Sequence, residues 1–253
     1  DSLRDGEEPR RPLPPHRQAH RGTPGGEQGT FAALKKDTGE LAWQTSELKD
    51  AAHYSSPILA VHNGKPQIIH RVMIKVFGVD PSNGRVLWQQ PFPGSTAVIP
   101  TPIYHDGHAY VTAGYRAGCM LVKLDANNSS SVVYQNKDME NHHGGVILVD
   151  GHLFGFSEKG SAWVCQDFQT GEIVWTSKAL GRGATHYANG KFYCLDERTG
   201  VIALVERSTK DWVEKGRFTL EPQTKQRSPD GRIWTHPVVV NGRLYLRDQE
   251  LLY

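Results

Sequence analysis

An all-β fold, a β-propeller of four-stranded antiparallel blades, is predicted by two repeats that interlock along this chain. In the first, an apolar strand ends in a polar turn carrying Thr-Gly or Asn-Gly, and a large aromatic follows. It runs from Ala33 through Gly39 to Trp43, from Gly78 through Asp80 and Gly84 to Trp88, and from Cys165 through Asp167 and Gly171 to Trp175. A degenerate copy spans Lys123 to Tyr134. The aromatics at 43, 88, 134 and 175 are separated by 45, 46 and 41 residues. A period of that size holding four short strands is the mark of a propeller. In the second repeat, hairpin turns recur at Asn63-Gly64, Asp106-Gly107, Asp150-Gly151, Asn189-Gly190 and Asn241-Gly242. Asn-Gly and Asp-Gly tolerate the positive φ angles of a type I′ turn, whose twist suits paired strands.

Taken in order, residues 1–28 stand outside the pattern. Pro9, Pro12, Pro14 and Pro15 lie there among five arginines, without alternation of apolar and polar residues, so an irregular or disordered segment is expected. The propeller is expected over 29–253. Each unit reads strand A, an Asn/Asp-Gly turn, strand B, strand C ending in Asp, a Thr-Gly turn, and strand D ending in Trp. Four units fit, at about 55–93, 100–138, 144–178 and 183–220. The last has Ser208-Thr209-Lys210-Asp211 in place of the Thr-Gly turn, with Trp212 out of register. A C–D half remains at 29–46 and an A–B half at 234–253, where Leu251-Leu252-Tyr253 begins another strand C. The expectation is a fragment: an open arc of four full blades with a half-blade at each end, because an apolar sheet edge invites pairing with other chains.

Each conserved-looking feature of the unit has a structural reason. Gly39, Gly84 and Gly171 supply a left-handed backbone that closes the C–D hairpin. Asp80 and Asp167 can bind the amides of their own turns. Trp43, Trp88 and Trp175 are large enough to fill the wedge between neighbouring blades.

Composition removes several functions. The net charge of +2 is too small to imply a nucleic-acid partner, and no stretch approaches the length of a membrane span. Cys119, Cys165 and Cys194 are far apart and form no Cys-x-x-Cys; each reads as a buried thiol within an apolar strand.

The repeat resembles that of the pyrroloquinoline-quinone (PQQ) β-propellers, whose motif is Ala-x-Asp-x-x-x-Gly-x-x-x-Trp. Residues 33–43 carry Lys35 where Asp is usual, 78–88 carry Gly78 for Ala, and 165–175 carry Cys165 for Ala. That superfamily includes quinoprotein alcohol dehydrogenases and non-enzymatic members such as the outer-membrane assembly factor BamB. Asn141-His142-His143-Gly144-Gly145 and Ile233-Trp234-Thr235-His236-Pro237 look like the exported bacterial group labelled polyvinyl-alcohol-dehydrogenase-like. The resemblance implies a periplasmic or secreted protein that binds a small molecule or protein on its funnel face. Its alternative is a PQQ-dependent alcohol dehydrogenase holding PQQ with Ca²⁺. Classical members set the quinone between a Trp floor and a vicinal Cys-Cys disulfide, and no adjacent cysteine pair exists here.

Loops that enter the innermost strands of a propeller ring one face. Aligning them gathers His53, Tyr54, Thr101, His142, His143, Arg182, Trp234, Thr235 and His236 as candidate ligand-binding residues. Arg182 is suited to a carboxylate and Trp234 to a flat ring. A solvent-filled channel would also be lined by polar loops, and that reading stands beside the site. His53, His142, His143 and His236 share no short zinc-type spacing, so no metal centre is expected of them. Of the acids, Asp196, Glu197, Asp248 and Glu250, which follow strand B, are those worth weighing for catalysis; none holds a rim position of the loops aligned above.

Overall fold

In the computed structural model, which describes residues 19–253, the chain is a succession of antiparallel sheets with meander connections. Blade I has three strands, β1 (Ala19–Gly22), β2 (Ala32–Lys35) and β3 (Leu41–Gln44). Blade II is β4 (Ile58–His62), β5 (Lys65–Arg71), β6 (Lys75–Val79) and β7 (Val86–Pro91). Blade III is β8 (Ile103–His105), β9 (His108–Ala113), β10 (Gly118–Leu124) and β11 (Ser130–Asn136). Blade IV is β12 (Val146–Val149), β13 (His152–Ser157), β14 (Ala162–Asp167) and β15 (Ile173–Ser177). Blade V is β16 (Thr185–Ala188), β17 (Lys191–Leu195), β18 (Val201–Glu206) and β19 (Val213–Thr219). Blade VI comprises β20 (Val238–Val240), β21 (Arg243–Tyr245), β22 (Arg247–Asp248) and β23 (Leu251–Leu252). The four complete blades lie where the repeats predict them. Among the described residues no strand pairing joins blade I to blade VI, so the arc is open.

Both ends differ from the expected half-blades. At the start, β1 pairs with β2 through Gly22↔Ala32 to Ala19↔Lys35, so regular structure begins ten residues before the expected boundary. Edge pairing uses backbone groups alone, and a strand of sequence Ala-His-Arg-Gly gives no alternation to read. The rest of the irregular segment, residues 1–18, lies outside the described residues. At the other end β23 pairs with β22, which is the start of strand C on the A–B half.

The hairpin turns have the predicted geometry: Asn63 (φ 50°) and Gly64 (74°), Asp150 (46°) and Gly151 (76°), and their counterparts are left-handed at both positions. Asp80 Oδ1 accepts the Ser82 amide at 2.8 Å, and Asp167 Oδ1 accepts those of Gln169 and Thr170 at 2.9 and 2.8 Å.

Burial is concentrated between blades. One apolar cluster joins each successive pair, from Phe31, Leu48 and Phe77 between I and II to Leu195, Ile202 and Leu246 between V and VI. Trp43, Trp88, Tyr134 and Trp175 all stand on the outermost strands, opposite Ala33, Gly78, Leu121 and Cys165, each beside a β-bulge. Trp88 is buried and the other three half-buried. Three of them reach across to the next blade. Trp43 Nε1 donates to Pro81 O, Tyr134 Oη to Phe168 O, and Trp175 Nε1 to Ser208 O, at 3.1, 3.0 and 2.9 Å. A Cβ on Gly84 would lie 2.4 Å from the Trp43 ring, and one on Gly171 would lie 2.7 Å from the Tyr134 ring. The turn glycine therefore does two things: it takes a positive φ and it seats the preceding blade's aromatic. Blade V departs from the rule. Gly216 occupies the aromatic's register opposite Leu204, and Trp212 instead packs against Trp163 and Trp175 from the turn.

Candidate funnel-face site

Five of the nine rim candidates converge. The His142 and His143 rings, entering blade IV, lie 4.7 Å apart, and His143 is 5.0 Å from Trp234, edge-on at 75°. His236 Nε2 is 2.8 Å from His143 O. Arg182, entering blade V, completes the group. The remaining four stand elsewhere. Thr235 donates its hydroxyl to Arg247 O at 2.7 Å within blade VI. His53 and Tyr54 enter blade II, Thr101 enters blade III, and the last two are exposed.

Two acids hold the cluster together. Glu158 follows β13 and Glu197 follows β17. Arg182 bridges them, with Nε 2.8 Å from Glu197 Oε1 and Nη1 3.1 Å from Glu158 Oε1. His143 Nε2 lies 3.1 Å from Glu197 Oε2 and His142 Nδ1 3.2 Å from Glu158 Oε1. Neither approach has hydrogen-bond alignment, so both are electrostatic contacts. The Tyr115 amide donates to Glu158 Oε2 at 2.8 Å and its ring packs edge-on against His142. Sequence reasoning weighed Glu197 and overlooked Glu158 and Tyr115. A phase count would have found both acids, because each stands seven residues after its hairpin glycine, Gly151 or Gly190.

Local structure fixes the acids. An Asp-x-x-x-Gly turn, used elsewhere between strands C and D, sits here between B and C of blade V. Asp196 Oδ1 accepts the Arg198 and Thr199 amides at 2.9 and 3.0 Å and Gly200 N returns to Asp196 O at 3.0 Å. Glu197 rides on that turn with its side chain only 4% exposed. The Glu158 amide is held by Glu140 O at 2.9 Å.

Burial acts to raise the Glu197 carboxyl, but His143 and Arg182 overcome it and hold the group below the usual carboxylate value. Burial holds His142 below the ordinary imidazole value against the pull of Glu158. The ensemble ties two carboxylates to one shared guanidinium, consistent with the rule that buried charges are paired. Beside it opens a cleft of ≈ 630 Å³ lined by Glu158, Arg182, Glu197, Arg198 and Arg232. Trp234 stands 62% exposed at the rim of the network.

The arrangement corrects the expected role of Arg182: its guanidinium is taken by the chain's own carboxylates. Asp248 is likewise taken by Arg227, at 2.8 Å, and Glu250 by the Thr224 hydroxyl. The same facts test the cofactor that the resemblance implies. Cys119, Cys165 and Cys194 are free, buried and in three different blades, which leaves no vicinal disulfide to cap a quinone. Glu158 and Glu197 are both held by Arg182. Among the described residues no three His, Cys, Asp or Glu side chains are grouped as metal ligands. The residues present do not fit PQQ with Ca²⁺.

Fold and repeat together define a PQQ-type β-propeller. A family profile described as "Outer membrane protein assembly factor BamB" matches residues 20–177, more than half of the chain, and the chain belongs to that family. The solved structure of BamB from Moraxella catarrhalis is similar at a TM-score of 0.62 and 18% identity, over 87% of this chain and 62% of that one. The β-propeller domain of Cps50 (Swd1) from Myceliophteria thermophila is similar at 0.51 and 14%, over 77% of this chain and 66% of that one. At such identities the likeness is one of fold. The chain spans less than two thirds of the length of the BamB structure. No curated protein matches the sequence, and among the described residues no helix is long and apolar enough to cross a membrane.

Proposed function

We propose that the chain is a binding module of the periplasm that docks a polypeptide partner on its funnel face, as part of outer-membrane protein assembly. The observation that carries this reading is the exposed Trp234 set against an immobilised His143–Glu197–Arg182–Glu158 network beside an open cleft. Aromatic anchors held by a rigid polar surround are where binding energy concentrates in protein interfaces. The family's description supplies the process. Catalysis is not favoured, because Glu158 and Glu197 are both engaged by Arg182 and the three cysteines offer no vicinal disulfide to cap a quinone.

The test is binding to purified outer-membrane assembly components, measured by biolayer interferometry. Trp234→Ala is expected to weaken binding at least about tenfold, while an outer-strand control, Val133→Ala, leaves it unchanged. Equal loss from both variants, or none from Trp234→Ala, removes the funnel face from the interaction. Titration with PQQ and Ca²⁺ is expected to give no new visible absorbance; saturable uptake would replace the binding-module reading with the dehydrogenase one.

A further inference from the structure

The position seven residues after the hairpin glycine holds an acid in blades IV and V; in blade II it holds Arg71, after Gly64. Arg71 is 0% exposed. Its Nη1 donates to Thr112 O of blade III at 2.9 Å, and the guanidinium lies over the Phe92 ring, 4.3 Å from its centre. No carboxylate pairs with it among the described residues, and Nε and Nη2 have no hydrogen-bond partner. Those two nitrogens form one edge of the guanidinium, carrying parallel N–H groups spaced to meet both oxygens of a carboxylate. Beside Nη2 the chain has Gly94, where a Cβ would lie 3.4 Å from Nη2 but only 2.5 Å from Met73 O and 2.6 Å from Val98 Cγ2, so the approach to that nitrogen is narrow and depends on the glycine. His53, the rim residue left out of the first cluster, has a buried Nδ1 without a partner. Burial first, then the Arg71 charge, keeps its imidazole below the ordinary value.

We infer that the Nε–Nη2 edge of Arg71 is a carboxylate-binding site on the funnel face of blade II. A cation withdrawn from water and left unpaired carries a large desolvation penalty. A water molecule satisfies an N–H but leaves the charge; a carboxylate answers both. Complete burial restricts the occupant to a small carboxylate or the tip of an acidic side chain.

The experiment follows the melting temperature of the whole chain at pH 7 in sodium acetate, sodium formate or N-acetyl-glutamate amide, against sodium chloride at equal ionic strength. The expected result is a saturable rise of roughly 2–4 °C over chloride, absent from Arg71→Met and Arg71→Lys. The lysine variant keeps the charge but not the fork, and serves alone if the methionine variant does not fold. A response to acetate or formate alone identifies a free small carboxylate as the occupant; a response that includes the glutamate amide identifies an acidic side chain. A wild-type protein indifferent to all three, or a lysine variant that keeps the rise, overturns the site.

Discussion

Blades II and V put opposite charges at one backbone position, Arg71 and Glu197, and treat them oppositely. In blade V the loop entering the innermost strand returns Arg182 to the acid, 2.8 Å away. Blade IV follows the same plan, with His142 and Glu158. In blade II the corresponding loop carries His53 instead, and no carboxylate pairs with Arg71 among the described residues. The comparison separates position from role. The end of strand B is where this propeller carries charge into its funnel, and the loop before strand A decides whether that charge is satisfied within the chain or left for something else.

The largest effect should come from breaking the satisfied pair. Glu197→Gln leaves Arg182 with Glu158 alone and His143 without its carboxylate, and is expected to cost about 3 kcal/mol in urea unfolding. A loss below about 1 kcal/mol would mean that solvent replaces the carboxylate, and the contrast with blade II would vanish. Acid should then act through the blade II histidines. His70, buried and 2.8 Å from the Thr23 hydroxyl, is pushed by burial from 6.5 down to about 4. The folded state thus binds fewer protons than the unfolded one between those values, and stability rises with pH there. It is fully present above 6.5 and is lost as pH falls toward 4; His142 and His53 are lowered as well and act with the same sign. Melting curves across this range should fall steeply for the wild type and less steeply for His70→Gln. Parallel slopes would assign the acid sensitivity to the funnel cluster instead. Glu158→Gln should cost less than Glu197→Gln, about 1–2 kcal/mol, because Glu158 is the more exposed acid. Trp234→Ala should move stability by less than about 0.5 kcal/mol, so that any loss of partner binding reports on the surface and not on folding.

Turn chemistry made the fold legible. Asn-Gly and Asp-Gly pairs fixed five hairpins, and Asp, Gly and an aromatic fixed the C–D turns, because each depends on a local backbone state that few residues adopt. Strand β1 was not legible, since a pairing made of backbone groups leaves no side-chain pattern. The site was legible by halves. His142, His143, Arg182, Trp234 and His236 were found by aligning loops, whereas Glu158 and Tyr115 lie beyond strand B, on the other side of each hairpin. What joins the halves is sheet register, and register is visible in a sequence only when one counts from the hairpin glycine. Blade V shows the limit of motif matching: its Asp-Glu-Arg-Thr-Gly turn is intact but sits between B and C, where it orients Glu197 instead of closing the outer hairpin.

The seating of one blade's aromatic on the next blade's turn glycine has a consequence for how such chains change over time. Blade IV carries both parts of the joint, with Gly171 seating Tyr134 of the blade before and Trp175 reaching Ser208 of the blade after. A duplicated copy of such a repeat arrives with a socket for its predecessor and a plug for its successor, whereas blades III and V, which lack the turn glycine, carry no such socket. Where the joint is complete, blade number can drift by unequal recombination, and the candidate cluster that spans blades III to VI can be carried intact through such rearrangements so long as the breakpoints fall outside it.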